Sequence, residues 1–295
     1  MRKLSGDATG ADLDDASWAL LEPWRDLIVR LDRRLRRDLS NLRELLEPLP
    51  TSMWGQVLLE PERLLGRADV FLPCLPAESV QLAWTGLSGG RLLRQSLGFA
   101  QQVVAACVSR DLHLPSAEVL DFGVGWGRIA MLMLKHVRPE QLVGCDAWES
   151  SLDLARGSNL PIELMLSDSK LERLPYAKAS KDLIYASYVF TSLGEESFLS
   201  CLDGLRSMLT PGGLLVFNVR PPEYWMLRPD LADARVEAMT SPIYFQRYPE
   251  HAEYGDTSVT REYVELACKG SGLGRVAFDW NASDPHQYLV IAERS

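Results

Sequence analysis

The sequence has little of what marks a disulfide-rich, zinc-binding or nucleic-acid-binding protein. Its five cysteines are odd in number and show no C-x-x-C spacing, which argues against a disulfide framework or a zinc site. The formal net charge of −9 lacks the basic excess of a general nucleic-acid binder. Residues 1–17 contain no apolar run typical of a signal peptide, and no window approaches the roughly 18 apolar residues of a membrane span. We therefore expect a cytoplasmic protein without a membrane span.

The first third of the chain predicts a helical extension. Between Trp18 and Leu46, apolar residues recur at helical spacing and arginines alternate with acids on the opposite face, which indicates one or two amphipathic helices. The charged face is typical of a packed helix in contact with solvent, while a homodimer formed through these helices is the open alternative. Prolines then divide residues 48–76 into short pieces. We predict an α-helical N-terminal extension over residues 1–80 and one main domain over residues 81–295.

From residue 117 onward, apolar runs alternate with helical stretches. The runs end at Asp121, at Asp146 and before Asp168, and two more cover 183–190 and 214–219. The helical stretches are 127–136, 149–156 and 195–209. This alternation predicts an α/β fold with a mostly parallel sheet that is covered on both faces. Two final strand-like runs, 274–280 and 286–294, are joined by a polar turn and predict an antiparallel finish.

The segment VLDFGVGWGR, residues 119–128, is the most informative stretch of the chain. Gly123, Gly125 and Gly127 alternate after an apolar run, so the backbone can turn sharply and approach a ligand closely before a helix begins. The dinucleotide fingerprint G-x-G-x-x-G has a different spacing, with its third glycine three residues after the second. With Asp121 two residues before the first glycine, the segment resembles motif I of class I S-adenosylmethionine-dependent methyltransferases.

Other segments extend this resemblance over roughly residues 70–295. DLIYASYVFTSL, LTPGGLLVFNV, EYGDTSVTREYV and DPHQYLVI follow in the order expected of a bacterial group within that family that carries GxGWGR. The resemblance implies a Rossmann-like seven-stranded methyltransferase sheet, mostly parallel with an antiparallel last strand, and S-adenosyl-L-methionine as the cofactor. Ser192 stands where members of the group commonly have histidine, so a side-chain base at that position is in doubt.

Carboxylates at the ends of consecutive strands are candidates for holding the cofactor, because open α/β sheets bind ligands beyond the carboxyl ends of their strands. Asp146 is suited to the ribose hydroxyls, Asp168 or its neighbouring backbone to the adenine amino group with Leu171 against the ring, and Asp121 to the amino group of the methionine part. Each aspartate alone could instead cap the following helix, but three of them at the ends of consecutive strands, together with the glycine loop, argue against capping for the whole set. The remaining cofactor candidates are Gly123, Val124, Gly125, Trp126, Gly127, Arg128, Ala147, Ser169, Ser187 and Arg91.

Candidates for the chemical step are His286, His251 and Tyr188. His286 belongs to the HQ segment, and His251 lies in the aromatic-rich region 221–260, a candidate substrate lid that could equally be packing under a long loop. Tyr188 and Phe190 follow the fourth strand, where alternation predicts that both face the reaction centre and Val189 points elsewhere.

These observations favour methyl transfer from S-adenosylmethionine to a small-molecule or glycan acceptor, at a hydroxyl oxygen, by in-line displacement. No metal is expected. A nicotinamide-dependent oxidoreductase is the first alternative, which the glycine spacing disfavours. A non-catalytic scaffold with the same fold is the second, and it gains from Ser192 but conflicts with the intact glycine loop.

Overall fold

The computed structural model describes residues 19–38, 41–228, 235–249, 253–281 and 284–295 and contains a seven-stranded sheet. Its strands are β1 (Val119–Phe122), β2 (Leu142–Asp146), β3 (Glu163–Leu166), β4 (Lys181–Ala186), β5 (Leu209–Val219), β8 (Leu273–Trp280) and β9 (Tyr288–Arg294). They lie in the order β3-β2-β1-β4-β5-β9-β8. Strands β1 to β5 pair in parallel, and β9 runs antiparallel to both of its neighbours. The predicted sheet with its antiparallel last strand is confirmed.

Eleven α-helices surround this sheet in the described part of the chain. They are α1 (Arg25–Leu35), α2 (Leu42–Leu46), α3 (Thr51–Leu59), α4 (Pro61–Leu65), α5 (Glu78–Thr85), α6 (Gly89–Val108), α7 (Arg128–Met133), α8 (Glu149–Gly157), α9 (Glu195–Met208), α10 (Arg235–Thr240) and α11 (Arg261–Gly270). Short 3-10 helices occur at Glu22–Trp24, Leu114–Ser116, Pro139–Gln141 and Pro222–Leu227. The helical stretches predicted between the strands correspond to α7, α8 and α9.

Alternating residues of the central strands point into two separate hydrophobic cores. Val119 of β1 and Leu183 of β4 point into the core that holds α6, α7 and the N-terminal helices. Their chain neighbours Leu120 and Ile184 point into the opposite core, which holds α9 and α11. Because both faces of the central strands are covered, their sequences are nearly continuous runs of apolar residues.

The N-terminal helices complete the first of these cores. Ile28 and Leu31 of α1 are fully buried there, so the apolar stripe of α1 packs within the chain itself. The indole Nε1–H of Trp54 in α3 donates a hydrogen bond of 2.8 Å to the Met131 carbonyl of α7. Lys135 Nζ donates to two carbonyls at the end of α2, each at 3.0 Å. The division at residue 80 stays a prediction, and Trp18 lies outside the described residues.

The described residues of the 221–260 segment lie beside the carboxyl ends of β4 and β5. This segment contains α10 and a two-stranded antiparallel sheet of β6 (Ile243–Arg247) and β7 (Gly255–Val259). The Thr257 N–H donates to the Thr191 carbonyl and the Val259 N–H donates to the Arg220 carbonyl, each at 2.9 Å. The segment therefore borders the edge where the sheet would bind a ligand, and its role as a lid stays a prediction.

Candidate functional site

The glycine loop between β1 and α7 forms one side of a cavity of about 200 Å³, here called the glycine-loop cavity. Gly123 has a φ of +72°, and a Cβ there would lie 2.3 Å from Val189 Cγ2. Gly125 has a φ of +56°, and a Cβ there would meet no atom within 4 Å. Thus Gly123 is required by close packing, while Gly125 keeps the backbone open toward the cavity that it lines.

Asp146 at the end of β2 lies across from this loop and lines the same cavity. Its Oδ2 accepts the Gly125 N–H at 2.9 Å and its Oδ1 accepts the Trp148 N–H at 3.0 Å. Burial raises the pKa of this carboxyl, and the backbone donors oppose the rise. Because this carboxylate lines the cavity, its two oxygens are the acceptors that a pair of neighbouring ligand hydroxyls would meet there.

The Asp168 side chain also lines the cavity, but its carboxylate accepts hydrogen bonds from its own loop. Its Oδ1 accepts the N–H groups of Lys170 and Glu172, at 3.2 and 2.9 Å, and its Oδ2 accepts that of Arg173 at 2.9 Å. Burial acts to raise its pKa, but these three donors lower the pKa overall. The predicted contact of Leu171 with a ligand ring is wrong. Leu171 is buried against Gly204 of α9, outside the residues that line the cavity.

Asp121 lies buried beneath the glycine loop. Burial raises its pKa from 3.8 to about 7, and the nearby Tyr185 hydroxyl and Arg128 guanidinium lower it by less. Its Oδ2 has no hydrogen-bond partner in the described part of the chain. A buried carboxylate oxygen without a partner is costly, so this position is suited to a cation or donor brought by a ligand.

The residues that follow β4 do not alternate in side-chain direction as predicted. The strand ends at Ala186, and Tyr188 adopts a left-handed φ of 65°, which breaks the alternation of side chains. Tyr188 and Val189 both line the glycine-loop cavity, whereas Phe190 is 1 % exposed and packs on Phe198 and Phe217. The predicted roles of Val189 and Phe190 are therefore reversed.

A ring of hydrogen bonds fixes Tyr188. Its N–H donates to Asn218 Oδ1 at 2.6 Å, and its hydroxyl donates to Asp284 Oδ2. Gln287 Nε2 donates to the same Asp284 oxygen at 2.9 Å, and Asn218 Nδ2 donates to Gln287 Oε1, which closes the ring. Burial, followed by the Asp284 charge, raises the Tyr188 pKa strongly, so the phenol stays protonated at neutral pH.

A second, larger cavity of about 720 Å³ adjoins the first and is here called the outer cavity. The two share a wall that includes Trp84, Trp148, Tyr188, Ser192 and Tyr254. Arginines contribute to the outer cavity from two directions, Arg128 at the start of α7 and Arg220 after β5.

Arg128 is held by neutral side chains. It donates to Gln95 Oε1 at 3.2 Å, to Ser96 Oγ at 3.3 Å and to Ser187 Oγ at 3.4 Å, and its guanidinium lies 5.0 Å from the ring centre of Tyr188. Burial lowers its pKa. The structure thus places this guanidinium in the wall of the outer cavity, beside Tyr188, which lines both cavities.

Most of the sequence-predicted cofactor residues converge on the glycine-loop cavity. Those that line it are Gly123, Gly125, Asp146, Ala147, Asp168, Ser169 and Ser187, together with the candidate Tyr188. Asp121, Val124, Trp126 and Gly127 lie in or under the loop without lining either cavity. Val124 and Trp126 are buried in the fold.

Two candidates, Arg91 and His286, lie elsewhere. Arg91 is exposed on the first turn of α6 and lines neither cavity, and Gln95 one turn later lines the outer cavity instead. His286 is exposed, while its neighbour Gln287 is buried in the ring that holds Tyr188. His251 lies outside the described residues. The helical spacing of four between Arg91 and Gln95 is the signal that could have identified Gln95.

The described part of the chain contains neither a candidate metal-binding cluster nor a helix suited to crossing a membrane. No group of three or more His, Cys, Asp or Glu side chains lies close enough to hold a metal ion among these residues. Within the same residues, the helices are too short or too polar to cross a membrane.

Comparison with known proteins agrees with this geometry. Residues 119–213 match a family model described as "Methyltransferase domain". Among curated proteins, the chain is 29% identical over 149 residues to a malonyl-[acyl-carrier protein] O-methyltransferase of Xylella fastidiosa, covering 49% of this chain and 48% of the relative. It is 32% identical over 123 residues to a demethylmenaquinone methyltransferase of Deinococcus radiodurans, covering 40% and 48%. The chain spans about half the length of the curated relatives it matches.

Solved structures show the same fold. An amino pentose methyltransferase from Micromonospora echinaspora, bound to S-adenosylmethionine, aligns with a TM-score of 0.51 and 17% identity, over 75% of this chain and 98% of that one. Magnesium protoporphyrin IX methyltransferase from Synechocystis, bound to S-adenosylhomocysteine, aligns with a TM-score of 0.50 and 15% identity, over 74% and 93%. At these identities the likeness establishes the fold of the chain.

Proposed function

We propose that the chain is a class I S-adenosylmethionine-dependent methyltransferase that transfers the methyl group to a hydroxyl oxygen of a small-molecule or glycan acceptor in the outer cavity. One observation carries this proposal. Two adjoining cavities meet at the carboxyl ends of the strands, one against the glycine loop and Asp146 and the other open to an acceptor. Tyr188 stands in the wall between them.

The residues of the glycine-loop cavity fit S-adenosylmethionine in their chemistry. Asp146 offers two carboxylate oxygens to the ribose hydroxyls, and Gly125 leaves room for the ligand beside the backbone. Asp121 lies beneath the glycine loop and outside the cavity lining, and its buried oxygen without a partner is our candidate for the cationic amino group. Arg128 is the candidate for the carboxylate of the methionine part. Since the Asp168 side chain is occupied by its own loop, we assign the adenine contact to the neighbouring backbone and Ser169.

The bound cofactor supplies an electrophilic methyl group, so the protein has to align the acceptor rather than form a covalent intermediate. Positioning of this kind can contribute roughly 7–11 kcal/mol to lowering the barrier. Arg128 and the ring of hydrogen bonds hold the Tyr188 side chain rigidly in the wall that both cavities share.

The loss of the acceptor proton is assigned to Tyr188 and Asp284. The acceptor O–H gives its proton to the Tyr188 oxygen while the Tyr188 proton passes to the Asp284 carboxylate, to which it is already hydrogen-bonded. Because the Tyr188 pKa is raised, the phenolate is not formed beforehand, and Asp284 is the group that finally holds the proton. His286 is exposed and His251 is not described, so we propose neither as the base.

The choice of oxygen as the acceptor atom has a second support. One curated relative is named as an O-methyltransferase.

We also propose that the protein is located in the cytoplasm and that it forms a homodimer, which light scattering would test. The five cysteines are free, which suits a reducing compartment.

The test measures binding before transfer. We expect S-adenosylhomocysteine to bind the purified protein and NAD to leave that binding unchanged. Radiolabelled S-adenosylmethionine with a panel of sugars, hydroxy acids and phenols then reports transfer. Tyr188→Phe should lower the rate roughly hundredfold, the lower range for loss of acid–base catalysis, with cofactor affinity retained. Competition by NAD would favour the oxidoreductase alternative, and binding without transfer to any acceptor would favour the scaffold.

A further inference from the structure

The charge of the outer cavity is opposite to that of the whole chain. The chain has a formal net charge of −9, yet the described residues that line this cavity include Arg128 and Arg220 and no aspartate or glutamate. We propose that the methyl acceptor carries an anionic group, a carboxylate or a phosphate, which Arg220 binds. This inference rests on the proposed function and names the class of its acceptor.

Arg220 is fixed along one edge of its guanidinium. Nη1 donates to the Thr191 carbonyl at 2.9 Å and to Asp256 Oδ1 at 2.7 Å, and the Tyr224 ring lies 4.5 Å from the guanidinium carbon. Nη2 and Nε make no hydrogen bond in the described part of the chain. The side chain is therefore held in one orientation and keeps donors for a carboxylate or phosphate.

The carboxylate beside Arg220 is shared with other side chains. Asp256 pairs with both Arg220 and Arg228, and it also accepts the Tyr248 hydroxyl at 2.9 Å. One carboxylate thus serves two guanidinium groups and is not reserved for Arg220.

Arg128 adds a second positive charge to the lining of the outer cavity. No carboxylate lies within 4 Å of it among the described residues, and the nearest acids, Asp121 and Asp284, act on it only at longer range. Since we assign Arg128 to the methionine carboxylate of the cofactor, Arg220 remains as the site for an anion on the acceptor.

The size and lining of the cavity suit a ring-bearing acid. Its volume of about 720 Å³ lies within the range of small-molecule pockets. Trp84, Trp148 and Tyr254 form adjoining aromatic walls, with ring centres 6.0 and 5.1 Å apart. A hydroxylated ring can pack against these walls while its acidic group reaches Arg220, as a uronic acid or a sugar phosphate would.

The experiment measures binding to protein saturated with S-adenosylhomocysteine, with glucuronate, glucose 6-phosphate and glucose as probes at constant ionic strength. We expect at least one acid to bind tenfold or more tightly than glucose, and the two acids distinguish a carboxylate from a phosphate site. Arg220→Gln should abolish the preference. Arg228→Gln is the matched control, since it removes a partner of the same Asp256 without lining either cavity, and it should retain the preference.

Three results would overturn the proposal. These are glucose binding as tightly as both acids, absence of binding by both acids, and equal loss in the two variants. Arg220→Lys, which keeps the charge, should retain part of the preference if Arg220→Gln fails to fold. Failure of S-adenosylhomocysteine to bind the wild type would instead contradict the proposed function, so the two failures are distinguishable.

Discussion

Replacing Asp121 by asparagine should stabilise the free protein and weaken its binding of the cofactor. Burial raises the pKa of Asp121 from 3.8 to about 7, so the folded state holds this proton between these values while the unfolded state releases it. The unfolded state is therefore favoured as the pH rises through this window. At 1.36 kcal/mol per pKa unit, the charged carboxylate costs on the order of 4 kcal/mol above pH 7.

The assay is urea denaturation of wild type and Asp121→Asn from pH 4 to pH 8. The difference in unfolding free energy, variant minus wild type, should be small near pH 4, rise toward pH 7 and then level off. Other titrating groups cancel in this difference. Asp203→Asn, at an exposed position in α9, is the control and should change stability little.

The same substitution should reduce the affinity for S-adenosylhomocysteine, because its ammonium group loses a carboxylate partner. In the wild type, this affinity should rise as the pH increases through about 7, where Asp121 becomes charged. A stability difference that does not depend on pH, or an Asp121→Asn protein that is less stable at pH 8, would refute this reasoning.

Three further predictions follow from named contacts. Gly123→Ala should lower the free energy of unfolding by about 1–3 kcal/mol and weaken S-adenosylhomocysteine binding, because the new Cβ meets Val189. Gly66→Ala is the control in the same denaturation assay, since Gly66 has a similar φ but open space around it, so this variant measures the cost of the backbone conformation alone. Trp54→Phe should cost about 1–3 kcal/mol of unfolding free energy by leaving the Met131 carbonyl unpaired, and a loss below 0.5 kcal/mol would contradict that role. Asp284→Asn should lower the rate of methyl transfer without changing cofactor affinity, whereas an unchanged rate would exclude it as the proton acceptor.

The strands and their ends could be predicted because they depend on local patterns. Apolar runs buried on both faces and glycines at alternate positions located β1, β2 and the loop between them. Asp146 followed from its place at the end of β2, and it lines the same cavity as Gly125.

Other parts of the site depend on tertiary contacts that a single sequence does not carry. The left-handed backbone at Tyr188 is stabilised by Asn218, a residue 30 positions later, so alternation failed at Val189 and Phe190. Likewise, the HQ segment suggested His286, but its turn directs Gln287 inward to Asn218. Arg220 carries no motif at all, and it becomes a candidate only through the cavity that it lines.

Calorimetric titration with S-adenosylhomocysteine of wild type and Asp146→Ala tests the central claim most directly. The wild type should bind, and the variant should lose roughly 1.5–3 kcal/mol of binding free energy through the loss of charged hydrogen bonds, about a ten- to hundredfold weaker affinity. Asp153→Ala, at an exposed position of α8, should bind as the wild type does. Equal affinities in wild type and Asp146→Ala, or no binding by the wild type, would contradict the assignment of the glycine-loop cavity to the cofactor.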